Sequence, residues 1–122
     1  VIPAISSPIP APIPPKNDIP YSSQYIVQTA KEYGINPIDA LFIIGKESQD
    51  CVNLSGDDGI SIGYWMFNLK ANPQVSYSCA SNFECSTNLA MKWISEGKIN
   101  AWSTWRFRCK WYADAPDCPV QN

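Results

Sequence analysis

The sequence predicts a mostly α domain, α+β at most, behind an extended proline-rich N-terminal arm. Three observations predict it. Seven of the eleven prolines fall within residues 1–20. Beyond them, apolar residues recur at helical spacing in stretches bounded by cap residues and glycines. Five cysteines in 122 residues point to a small disulfide-bearing fold rather than a large core.

The arm covers residues 1–20. Its prolines alternate with Ile, Ala and Ser, as in Ile9-Pro10-Ala11-Pro12-Ile13-Pro14-Pro15. Proline lacks an N–H and has a fixed φ, so this stretch can form neither a helix nor a central strand. It reads as a polyproline-II spacer or, being apolar, as a segment that docks on another protein or chain. The domain is expected over residues 21–122. Ser22 or Ser23 can cap a first helix with Ile26, Val27, Ala30 and Tyr33 on one stripe and Gly34 at its end. Asn36 then caps a second helix with Pro37 at its first position. This very apolar helix runs through Ala40-Leu41-Phe42-Ile43-Ile44 to Glu47-Ser48. So short a link packs the two as a corner or hairpin.

Residues 53–63 are polar and glycine-rich, a loop with room for a small hairpin at Asp58-Gly59. Tyr64-Trp65-Met66-Phe67-Asn68-Leu69 is apolar, and its periodicity does not choose between helix and strand. Ser81 and Glu84 have capping-box spacing. The helix they would open carries Leu89, Ala90, Trp93 and Ile94 inward and stops at Gly97. In the tail, Trp102, Trp105 and Cys109 fit a helix, while Arg106 to Trp111 alternates like a strand.

The totals narrow the function. A net charge of −2 and a pI near 4.9 argue against nucleic acid as a partner and give no polybasic membrane signal. No apolar run is long enough for a membrane span. With no histidine, His-based triads and His-ligated metals are excluded. The cysteines lack C-x-x-C spacing, so no metal is expected, and no cofactor. They read as disulfide partners in an oxidising compartment, secreted or in the cell envelope, with one left over. Cys79 with Cys85 and Cys109 with Cys118 are each near enough to close a local loop, and Cys51 could pin the end of the second helix. The sequence leaves the pairing open. Starting at Val1 with no basic leader, the chain reads as a processed or excised segment.

Glu47 is the candidate catalytic residue. Ala40, Ile43 and Glu47 share a helix face, so this carboxyl points where the apolar face points. It also sits in the last helical turn, where the macrodipole opposes a negative charge. Both effects raise a carboxyl pKa, as a general acid near neutral pH requires.

Tyr33-Gly34-Ile35-Asn36-Pro37, then Ala40-Leu41, then Glu47-Ser48, resembles the opening of soluble lytic transglycosylase domains in the lysozyme-like superfamily. Ser61-Ile62-Gly63-Tyr64-Trp65-Met66-Phe67-Asn68 stands where that family has a Ser and a Gly-Leu-(Met or Trp)-Gln-like segment lining the glycan groove. Asp57-Asp58-Gly59 and Ser86-Thr87 before Leu89-Ala90-Met91-Lys92-Trp93 fit the same comparison. The resemblance covers roughly residues 21 to 105. It implies a lysozyme-like helical fold and cleavage of peptidoglycan between N-acetylmuramic acid and N-acetylglucosamine, with Glu47 as general acid/base. It also implies a substrate surface of Ser48, Ser61, Gly63, Tyr64, Trp65, Met66 and Asn68. Two departures stand out. Met66 occupies the place of a polar Gln, and the later Tyr-Asn pair is absent, leaving Trp102, Trp105 or Tyr112 to fill that wall.

Transglycosylation needs no second carboxylate, because the muramyl hydroxyl attacks intramolecularly. Hydrolysis needs one. Asp57 and Asp58 are the candidates, with Asp50 and Glu84 behind them. Before Gly59 the aspartates also suit a turn. Tyr64 and Trp65 can stack on sugar or pack in the core. Ser61 and Asn68 can bond N-acetyl groups, and Ser48 can orient Glu47 or cap its helix. The rival readings are a catalytically inactive glycan binder and a cell-surface structural or assembly protein whose arm docks on a neighbour.

Overall fold

The computed structural model describes residues 20–48, 55–56 and 60–119. The proline-rich arm, Cys51, Asp50, Asp57 and Asp58 fall outside the described residues. The fold is mostly helical. It comprises α1 (Ser23–Glu32), α2 (Pro37–Ser48), a small sheet of β1 (Ser55–Gly56), β2 (Ser61–Ile62) and β3 (Phe67–Asn68), then α3 (Tyr77–Ser81) and α4 (Phe83–Ser95). A 3-10 turn (Ile99–Ala101), α5 (Ser103–Arg106) and α6 (Arg108–Trp111) complete it.

The helix boundaries follow from local chemistry. Ser22 Oγ accepts the Tyr25 amide and opens α1. Gly34, at φ +74°, closes it: the Gly34 amide donates to Lys31 O and the Ile35 amide to Ala30 O. This pair of bonds is the Schellman stop, and it buries Ile35. Asn36 Oδ1 accepts the Ile38 amide at 3.0 Å and, with Pro37, starts α2 as expected. Gly97 repeats the Schellman stop after α4, with Gly97 donating to Ile94 O and Lys98 to Trp93 O.

One cap and one helix stripe differ from the sequence expectation. The N-cap of α4 is Asn82, whose Oδ1 accepts the Cys85 amide at 2.8 Å. Ser81 instead bonds back to Tyr77 O within α3. The separate helix α3 has its own cap, Ser76, and leaves no room for a Ser81 box. The inward stripe of α1 is Ile26, Thr29 and Ala30, with Tyr33 exposed. The tail resolves as helix, because Trp102 and Trp105 both turn inward.

One contiguous core joins these elements. α1 packs on both α2 and α4, and α2 also meets α5. At the centre lies Trp65, fully buried, with its Nε1–H donating to Thr87 Oγ1 at 3.0 Å. Trp102 meets it edge-on and donates its Nε1–H to the Trp65 carbonyl at 2.8 Å. Phe67 and Trp93 complete the cluster, their rings 4.9 Å apart. Two disulfides, Cys79–Cys85 and Cys109–Cys118, close the loops at the start of α4 and after α6. No helix among the described residues is long and apolar enough to cross a membrane.

Candidate active site

Three parts of the chain converge on one cleft of about 170 Å³. The end of α2 contributes Glu47. The β2–β3 hairpin contributes Ser61, Met66 and Asn68. The 3-10 turn and the start of α5 contribute Ala101, Trp102 and Ser103. Polar atoms make up most of the wall. Among the described lining residues Glu47 is the only ionisable group.

Each side chain has a reason to be there. α2 buries Ala40, Ile43 and Ile44, and Glu47 emerges half-buried one turn beyond Ile43. The hairpin pairs Ser61 with Asn68 as direct cross-strand partners, which sets both on one face of the sheet. Asn68 Oδ1 accepts the Ala71 amide at 2.9 Å, so its carboxamide has a fixed orientation. Met66 sits in the turn between the strands at φ +49°, with its amide bonded to Gly63 O. A side chain with a Cβ seldom adopts that conformation. Trp102 ties the turn down by donating its Nε1–H to the Trp65 carbonyl.

Glu47, Ser61, Met66 and Asn68 therefore line one cleft. The other four candidates do not, and each has a physical reason. Trp65 is 0 % exposed and bonded to Thr87, so its ring is core and unavailable to a sugar. Ser48 is fully buried and donates to Ile44 O at 3.0 Å, back-bonding into its own helix. Gly63 has φ +87°, and a Cβ there would fall on the Ala80 carbonyl. Its role is a close approach of the hairpin to α3. Tyr64 packs against Phe83 and Tyr21, with centroids at 5.2 and 6.2 Å, away from the cleft lining.

Of Trp102, Trp105 and Tyr112, Trp102 lines the cleft. Trp105 and Tyr112 pack instead on Phe42, at 6.3 and 5.7 Å. Glu84 lies in the first turn of α4, outside the cleft lining. Ala101 and Ser103 were not legible as site residues, since only the fold of the tail brings them beside Glu47. Two larger hollows lie elsewhere. One of about 360 Å³ runs along α1 beside Val27 and Leu41, and one of about 530 Å³ lies beside Leu89 and Trp93. Neither contains a sequence-predicted site residue. No group of three or more metal-ligating side chains exists among the described residues.

No family model, curated protein or solved structure matches this chain.

Proposed function

We propose that the chain cleaves peptidoglycan between N-acetylmuramic acid and N-acetylglucosamine, with Glu47 as the general acid/base. One observation carries the reading. Glu47 at the end of an apolar helix, and Ser61 and Asn68 from a separate hairpin, share one polar cleft. The same residues carry the resemblance to soluble lytic transglycosylases. A carboxyl at the edge of an apolar helix face, with hydrogen-bonding neighbours fixed by strand pairing, suits acid catalysis on a sugar.

In the first step the Glu47 carboxyl gives its proton to the glycosidic oxygen as the C1–O bond breaks. The leaving N-acetylglucosamine departs with that proton, and positive charge develops at C1 of the muramyl ring. Glu47, now ionised, takes the proton of the muramyl C6 hydroxyl as that oxygen closes on C1. The product is a 1,6-anhydro end. If water attacks instead, the product is a reducing end. The two disulfides suit an oxidising location, in the cell envelope or outside the cell.

The test is digestion of purified cell-wall sacculi. Wild type releases muropeptides, and Glu47→Gln loses activity by about 10²–10⁴-fold while keeping its fold and its glycan affinity. Asp57→Asn and Asp58→Asn retain most activity if the C6 hydroxyl attacks, and each loses nearly as much as Glu47→Gln if a second carboxylate is needed. One observation favours a second reading. Met66, an apolar side chain, stands in the cleft wall where the resembled family has Gln. A glycan binder without turnover would show equal inactivity for wild type and Glu47→Gln, with both retained on sacculi.

A further inference from the structure

The last helix, α6, leaves two large rings at the surface. Phe107 is 40 % exposed and Trp111 50 % exposed, and their ring centres lie 5.0 Å apart. Four residues apart in sequence, they share one side of the helical turn. Arg108 turns instead to the buried Trp105, 3.9 Å over its ring, and donates to Pro116 O and Asp117 O. An apolar surface of this kind, rimmed by polar groups, marks an interaction site. Here the rim is positive. Residues 106–111 hold three of the chain's nine Lys and Arg residues and no acid, although the whole chain carries −2. Arg106 lies 4.8 Å from the centre of the Phe107 ring. Lys110 is exposed and makes no ion pair among the described residues. The next acid along the chain, Asp114, is already paired with Lys46 at 3.3 Å.

This patch adjoins the cleft. Arg106 Nη1 donates to Asn100 O at 2.8 Å, and the next residue, Ala101, lines the cleft, as does Ser103 at the start of α5. At about 170 Å³ the cleft is smaller than the roughly 300–1,000 Å³ that encloses a whole small ligand. A polymer cut there must therefore lie on the surface beyond it. We propose that Phe107 and Trp111, with Arg106 and Lys110, form a second glycan-binding surface that holds the peptidoglycan strand outside the cleft. The rings take the C–H face of a sugar, and the cations take the free carboxylates of its stem peptides. This rests on the peptidoglycan reading of the cleft, but it requires no chemistry from Glu47. The patch also lies beyond residues 21–105, which carry the family resemblance.

Retention of the full chain on purified sacculi tests this, in the Glu47→Gln background so that the sacculi stay intact. Trp111→Ala should weaken retention about tenfold, as for an aromatic anchor lost from an interface. Lys110→Glu should weaken it about threefold, and added salt should erase that difference. On sacculi stripped of stem peptides, Lys110→Glu should bind like its parent while Trp111→Ala stays weak. Lys110 is exposed and unpaired, so its variant keeps the test valid if Trp111→Ala does not fold. Equal retention of both variants and their parent overturns the proposal. So does a loss of binding to phosphatidylglycerol vesicles with retention on sacculi unchanged, which would make the patch a lipid contact. Failure of the cleavage reading shows separately, as absence of turnover by the chain with Glu47 intact.

Discussion

At Trp65, one residue carries two structural duties, and neither is ligand binding. Its ring fills the centre of the core, and its carbonyl accepts the Trp102 indole N–H. Trp65→Ala should cost about 3–5 kcal/mol in a denaturant melt, the scale of a large buried ring lost. Trp65→Phe should cost less, because volume is largely kept, yet it leaves Thr87 Oγ1 without its donor. Gly63 is equally intolerant for a different reason. Alanine there meets both an unfavourable φ and the Ala80 backbone, so Gly63→Ala should destabilise more than Gly97→Ala, whose Cβ would find open space at a similar φ. Comparing the two midpoints isolates the steric part.

The elements that build the cleft are short, and covalent closure does part of their holding. α3 has five residues, and α5 and α6 four each, too short to be helical alone. Cys79–Cys85 fixes α3 to the start of α4, and Cys109–Cys118 fixes α6 to the loop behind it. Each closes a small loop, so opening either bridge with a double serine variant should cost about 2–3 kcal/mol by chain entropy. Thermal melts of the two variants measure it. Loss of Cys109–Cys118 should also speed amide hydrogen exchange in residues 112–119, while loss of Cys79–Cys85 should leave that loop as it was. α2 depends on Asn36, and Asn36→Ala should cost about 0.5–2 kcal/mol and fray the end away from Glu47.

For the whole molecule, the Asp39 carboxyl, raised chiefly by burial, links folding to pH. The folded chain holds this proton up to about 6, whereas the unfolded chain releases it around 3.8. The contribution of this group to stability is therefore fully present below 3.8, declines as pH rises, and is gone above about 6. This runs opposite to the ordinary salt-bridged carboxylate, whose contribution grows with pH. In a series of melts across that interval, Asp39→Asn should remove the decline. The slope difference between the two proteins is the quantity to measure, since the other acids titrate in both.

What the sequence determined by itself was whatever depends on neighbours along the chain. Asn36-Pro37 and Gly34 mark one helix end and the next helix start because caps and left-handed stops use local backbone groups. Glu47 was legible as the residue to watch because helical spacing alone puts it in line with Ala40 and Ile43. Ser61 and Asn68 were legible as site candidates from their place in a motif, and strand pairing sets them opposite each other in the cleft. Tertiary structure decided the rest. Nothing local distinguishes Trp65 from Tyr64 as core or surface, since both suit either. The choice came from Thr87 and Trp102, remote in sequence, which supply partners for the buried indole N–H and its carbonyl. Ser81 and Asn82 are both good caps, and the separate helix α3 decided between them. The tail satisfied two periodicities, and it became helix because only a helix turns Trp102 and Trp105 into the same core. Lys46 and Asp114 lie 68 residues apart, so their ion pair could be read only from the folded chain. Long-range contacts of this kind carry no local signal, because their free energy comes from surfaces buried between segments that share no neighbouring residues.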